Sequence, residues 1–153
     1  IFASERSTYQ GSFNEVMGIP FNQLTTEYWF PWVDQFNTGN MRTWVLVGNP
    51  SSSQTAYVDI YLGGVKQVGS PFSIPANGNI TPTFTTDNGP VRVVSVSGPG
   101  TPSPINIFTS ERTTYLSSFN EMMGYPANQL TSEYWFPWYD SVYMNSDIYI
   151  SRP

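Results

Sequence analysis

Cysteine and histidine are both absent from this 153-residue chain. Without cysteine there is no disulfide framework and no thiolate chemistry. Without histidine the usual zinc ligand and the usual general base near neutral pH are gone. Lysine occurs once, as Lys66, and five arginines (Arg6, Arg42, Arg92, Arg112, Arg152) are scattered through a chain of formal net charge -5. That distribution excludes the positive patch that nucleic acid requires. Charged residues make up 11% of the chain against 16% aromatics, so the surface must be built largely from Ser, Thr, Asn, Gln and Gly. This is the profile of many secreted and cell-surface β proteins. No run of about 18 apolar residues offers a membrane span. Gly-rich phosphate loops, Ser-centred elbows and acidic calcium loops are missing too. No cofactor and no metal is therefore expected.

What is present is a duplication. Ser118-Phe119-Asn120-Glu121 through Gly124-Tyr125-Pro126, Asn128-Gln129-Leu130 and Tyr134-Trp135-Phe136-Pro137-Trp138 repeats Ser12-Phe13-Asn14-Glu15 through Gly18-Ile19-Pro20, Asn22-Gln23-Leu24 and Tyr28-Trp29-Phe30-Pro31-Trp32. The register is constant from Ile1 and Ile107 to Asp34 and Asp140. It then slips by a few residues, after which Met41 to Pro50 aligns with Met144 to Pro153. Copy A (Ile1 to Pro50) and copy A′ (Ile107 to Pro153) thus flank one unrepeated middle, M (Ser51 to Asn106). Units of a repeat array usually bury their apolar faces against one another. One middle for two flanks leaves a half-repeat to spare. Ile1 opens inside the repeated unit, so the sequence reads as a mature or excised chain with any export signal upstream.

Within the copies, Ile1 to Tyr9 reads as a strand, Gly18-Ile19-Pro20 to Leu24 as a corner with one helical turn, and Thr25 to Trp32 as an extended segment. Pro31 argues for an edge strand or a strand end there. Asn37 to Asn40 is a loop. Thr43 to Val47 is a short β run closed by Gly48-Asn49-Pro50. In the middle, alternation places Ala56, Val58, Ile60 and Leu62 on one face, and Gly63-Gly64 turns that strand into Val65 to Val68. Pro71 to Ile74 and Ile80 to Thr85 are short extended segments. Asn88-Gly89-Pro90 introduces the clearest strand, Val91 to Val96. Short strands between frequent turn signals, with no long period-3.6 segment, predict an all-β chain: an Ig-like β-sandwich repeat with an additional half-repeat and almost no helix.

Two carboxylates across a pocket would be needed for glycoside hydrolysis, and Glu15, Glu27, Glu121 and Glu133 are the candidates. Nothing in their spacing requires such a pocket, and the chain is not expected to be an enzyme. The aromatics could form a sugar-stacking platform, but large aromatics also dominate cores and interfaces. Tyr28, Trp29, Phe30, Trp32, Tyr134, Trp135, Phe136 and Trp138 are accordingly the candidate assembly surface, expected to be mostly buried in a core or between units. Asn79-Ile80-Thr81 fits an N-glycosylation sequon, with Asn79 as acceptor.

Taken with Trp44 to Pro50 and Gly89-Pro90-Val91-Arg92-Val93, the duplicated motifs resemble tandem modules of roughly 100 residues found in large secreted or surface proteins of environmental bacteria. The resemblance covers nearly the whole chain and implies an extracellular structural or adhesive role without catalytic residues. The chain departs from a plain array where Asp147 to Pro153 replaces the Trp-Val-Leu-Val-Gly-Asn-Pro version. The expectation is a half-repeat over 1–40, completed by a neighbouring subunit, and a complete sandwich repeat over 41–153. The partners are then copies of the chain, joined head to tail by strand complementation into an extracellular filament or surface fibre. The alternative is a carbohydrate-binding adhesin module, with glycans as partners; a glycan-active enzyme is a third, weaker reading.

Overall fold

The computed structural model of the chain describes residues 1–34, 40–84, 87, 89–144 and 146–153. Asn37 to Gly39 of the expected loop, Thr85 and Asn88 lie outside the described residues. Among those described, the strands are β1 (Ser4–Tyr9), β2 (Ser12–Met17), β3 (Glu27–Phe30), β4 (Met41–Gly48), β5 (Ala56–Leu62) and β6 (Val65–Lys66). They continue as β7 (Phe72–Ile74), β8 (Asn79–Ile80), β9 (Val91–Val96), β10 (Phe108–Tyr115), β11 (Ser118–Met123) and β12 (Tyr125–Pro126). Two single 3-10 turns, Phe21–Gln23 and Ala127–Gln129, sit at the expected corners. Strands make up 44% of the described residues and no helix among them reaches seven residues, so the protein is an all-β, sandwich-like molecule. No helix among the described residues is long and apolar enough to cross a membrane.

Two sheets, antiparallel throughout, share one core. One has the order β11-β10-β4-β8, the other β12-β3-β9-β5-β6 with β7 also on β5. Alternation decides what lies between them. Ala56, Val58, Ile60 and Leu62 of β5 are all buried, as their spacing predicts, and they meet Val91 and Val93 of β9, Val45 and Val47 of β4, and Tyr28 and Phe30 of β3. Each such side chain contributes roughly 1.5 to 3 kcal/mol by area. Asn49, nearly fully buried, closes the turn after β4: its amide donates to the carbonyls of Gln54, Ile74 and Pro75, and its oxygen accepts from the Ser51 amide. Pro31 follows the last residue of β3, so its missing N–H lies outside the ladder. β3 itself is an interior strand, held by β9 on one side and β12 on the other. Of the two sequence options, the strand end is the one realised.

Strand pairing runs between the copies and the middle. β3, from copy A, is hydrogen-bonded to β9 of the middle and to β12 of A′ within the same chain. β10 of A′ runs along β4 of A over eight residue pairs, from Phe108↔Gly48 to Tyr115↔Met41. The sandwich is therefore assembled from the second half of A, the middle and the first half of A′. The first half of A remains as a separate two-stranded hairpin, β1-β2, and the second half of A′ as a tail without assigned strands. β3 and β4 thus find their partner strands within the chain, while among the described residues β1 pairs with β2 alone.

One core position is electrically unusual. Glu111 faces inward on β10 opposite Val45, is 2% exposed, and its Oε2 has no hydrogen-bond partner. Burial pushes its carboxyl up to about 8. Because the folded state holds this proton more tightly than the unfolded chain does, the contribution is fully present below about pH 4.5 and is lost as pH rises through 8. We expect urea-unfolding stability to fall between pH 5 and pH 9 by up to on the order of 4 kcal/mol, and Glu111→Gln to flatten that slope. An unchanged slope in the variant would assign the dependence to other groups.

Candidate assembly surfaces

The two hairpins are built alike from the same residues. Ser4↔Met17 through Tyr9↔Ser12 in β1-β2 matches Ser110↔Met123 through Tyr115↔Ser118 in β10-β11. In the first, Arg6 pairs with Glu15 at 2.6 Å and the Ser4 hydroxyl donates to Glu15 at 2.8 Å. In the second, Arg112 pairs with Glu121 at 2.5 Å and Ser110 donates to Glu121 at 2.7 Å. Both turns carry a left-handed residue, Gln10 and Leu116, and both end with the serine hydroxyl donating to a tyrosine carbonyl at 3.0 Å. Arg6 and Ser4 hold the Glu15 carboxyl below its ordinary range by hydrogen bonding.

Their surroundings differ. β10 has β4 along its second edge; among the described residues β1 has no strand along its own. Ile107 is buried while Ile1 is fully exposed, and the buried Glu111 corresponds to exposed Glu5. The β1-β2 hairpin leans on the outer face of the β10-β4 sheet through an edge-on contact of Tyr9 with Phe119, centroids 6.0 Å apart. The Asn14 amide also donates to Asn120 at 2.5 Å. Between hairpin and sheet runs an open groove of about 660 Å³, lined by Ala3, Ser4, Glu5, Leu46, Phe108 and Arg112 among others.

The second halves show the reverse asymmetry. Tyr28 and Phe30 are 0% and 1% exposed, whereas Tyr134 and Phe136 are 48% and 66% exposed. Tyr28 is pinned at the joint between the sheets: its hydroxyl accepts from the Thr25 amide at 3.1 Å and donates to the Ile107 carbonyl at 3.0 Å. Tyr134 accepts from the Thr131 amide at 3.2 Å in the same way, yet among the described residues its hydroxyl reaches no carbonyl. Trp29 and Trp135 each donate from Nε1 to the glutamate two residues before, Glu27 at 2.9 Å and Glu133 at 2.8 Å. Trp135 and Trp138 are 86% and 60% exposed, while Trp29 and Trp32 are part-buried. The burial expected for the cluster is thus met within the chain by Tyr28 and Phe30, and not by Trp135 or Trp138. The tail touches the sandwich where Tyr149 stacks on Trp32, centroids 5.0 Å apart, and where the Ser151 hydroxyl donates to the Pro31 carbonyl.

The four candidate carboxylates do not converge. Glu15 and Glu121 are each bound in their own hairpin, Glu133 takes the Trp135 donor, and Glu27 lies on the outer face of β3 in a two-point pair with Arg92 at 3.0 Å. Arg92 hydrogen bonding holds the Glu27 carboxyl below its usual range. The same guanidinium lies 5.7 Å from the Trp29 ring centroid and 5.3 Å from that of Tyr61. Sequence reasoning passed over a neighbouring pair, Asp59 and Lys66 at 2.8 Å, which alternation alone makes visible once β5 and β6 are known to be a hairpin. Asn79 is exposed on the edge strand β8. Among the described residues no cluster of acidic side chains could hold a metal.

No family model, no curated protein and no solved structure matches the chain.

The paired glycines give a direct test of the asymmetry. A Cβ on Gly124 would come within 2.6 Å of Thr109 Cγ2 and 3.0 Å of Phe30 Cζ, whereas one on Gly18 would meet nothing nearer than the Ala3 carbonyl at 3.4 Å. Gly124→Ala should cost about 1 to 3 kcal/mol in denaturant unfolding by overpacking. Gly18→Ala should stay within about 0.5 kcal/mol of the parent. Equal costs would contradict the placing of the A′ hairpin, and not the A hairpin, in the sandwich.

Proposed function

We propose that the chain is a structural subunit of an extracellular filament or surface fibre that assembles head to tail by β-strand complementation. The observation that carries this reading is the unequal burial of duplicated segments. One sequence pattern is folded into a sandwich at Tyr28 and Phe30 and left bare at Tyr134 and Phe136, and one hairpin has a strand along its edge while its duplicate does not. Contiguous exposed apolar patches mark interaction sites, and an unpaired strand edge is a template for another chain. A hairpin at one end and an aromatic tail at the other make a heterologous contact, which propagates unless a rotation closes it into a ring.

Tyr28 and Phe30 lie in this chain's own core, so the assembly surface narrows to Tyr134, Trp135, Phe136 and Trp138 together with the β1-β2 hairpin. The carbohydrate-binding reading draws on the exposed faces of Trp135 and Trp138. The two readings separate experimentally.

Sedimentation and electron microscopy of the purified chain should show concentration-dependent oligomers or fibres. Tyr134→Ser with Phe136→Ser should weaken association about 100-fold or more, the loss of two buried aromatics. Removal of residues 1–18 should leave a folded sandwich that does not extend. A monomer at all concentrations, with glycan-array binding lost in Trp135→Ala, would replace this reading by the adhesin one.

A further inference from the structure

Resting on that reading, we infer that the joint is an antiparallel pairing of β1 in one copy with residues 146–151 of a second copy, in the register that β10 takes on β4. Within the chain, β10 meets β4 as Thr109↔Val47, Ser110↔Leu46, Glu111↔Val45 and Arg112↔Trp44. β1 repeats β10 with its hairpin partner, ion pair and turn intact and its other edge open. The tail repeats β4: Asp147, Ile148, Tyr149 and Ile150 stand where Trp44, Val45, Leu46 and Val47 stand in copy A. Transferring the register sets Ala3 opposite Ile150, Ser4 opposite Tyr149, Glu5 opposite Ile148 and Arg6 opposite Asp147.

Three features fit this occupant. The Arg112–Trp44 pair becomes an arginine opposite an aspartate, so opposite charges meet at a cross-strand position. Ile148 and Ile150 alternate with Tyr149 as Val45 and Val47 do with Leu46, and the tail carries Tyr134 and Phe136 to lie beneath them as Tyr28 and Phe30 do in the sandwich. The Tyr134 hydroxyl, already accepting from Thr131, has the donor with which Tyr28 binds the Ile107 carbonyl. In the joint the exposed Ile1 supplies that carbonyl.

The match is not complete. The Phe108 ring fills the space a Cβ on Gly48 would take, with its Cζ 2.1 Å from that position. Ser151 stands at the glycine position, so the Phe2 ring must turn aside. The joint also exchanges the Tyr149–Trp32 stack and the Ser151–Pro31 hydrogen bond for intermolecular contacts. Glu5 becomes a carboxyl opposite Ile148, as Glu111 is opposite Val45.

The test is complementary charge reversal in the full chain. Arg6→Glu alone and Asp147→Arg alone should each raise the concentration needed for association about ten-fold or more, since each sets like charges opposite one another. In an equimolar mixture the two variants can alternate so that every joint is matched, and the mixture should assemble near the parent's concentration. Arg6→Glu also touches the hairpin, so cross-linking gives a second measurement. The chain has no cysteine, and Ala3→Cys mixed with Ile150→Cys should form a heterodimeric disulfide on mild oxidation, whereas Ala3→Cys mixed with Val142→Cys should not. Association that proceeds with neither charge dependence nor the Ala3–Ile150 cross-link would overturn this joint and leave head-to-tail assembly standing. Absence of any association by the parent chain would overturn both.

Discussion

The pairing of β10 with β4 organises the rest of the molecule. It joins the two copies across the middle, binds the hairpin of A′ to the strand that closes A, and brings Ile107 against Tyr28. A ladder of eight residue pairs is strong because its backbone groups are satisfied mutually and its inward side chains, Val45 and Val47, meet a second sheet. Once β10 occupies the edge of β4, the duplicate strand β1 cannot. The asymmetry between hairpins of nearly the same sequence follows from one exclusion: there is a single β4 with a finished sheet beneath it.

From that exclusion come the two unsatisfied ends. A strand edge and an aromatic stretch whose duplicates each have a partner in the same chain are not generic surface features. The partner they lack can be read from the partner their duplicates have. This is a stronger warrant than exposed hydrophobicity alone, since single exposed apolar residues are ordinary. In the proposed joint Asp147 would face Arg6 as Trp44 faces Arg112, with Ile148 and Ile150 in the places of Val45 and Val47.

The burial of Glu111 shows how strongly context acts on one residue type. Glu5 sits in the same hairpin position, accepts a hydrogen bond from Ser7 at 3.0 Å and faces water. Glu111 is enclosed by the sandwich, and its carboxyl is driven toward the neutral form. Gly124 and Gly18 differ in the same sense: the backbone passes close to Thr109 and Phe30 in one case and in the other leaves a Cβ only an ordinary contact with the Ala3 carbonyl.

Local information in the sequence sufficed for much of the fold. Alternation at Ala56, Val58, Ile60 and Leu62 marks the inner face of β5, Gly63-Gly64 marks its hairpin, and the proline-led corners become single 3-10 turns, because period and turn chemistry act over a few residues. The ungapped duplication likewise determined that both hairpins share one register and one arginine–glutamate pair. Which copy's half enters the core was not legible, since Tyr28 and Tyr134 lie in nearly the same local sequence. That choice rests on long-range competition for β4 and β9. Only the tertiary structure decided these points, because identical local preferences cannot distinguish two segments that compete for one set of partner strands.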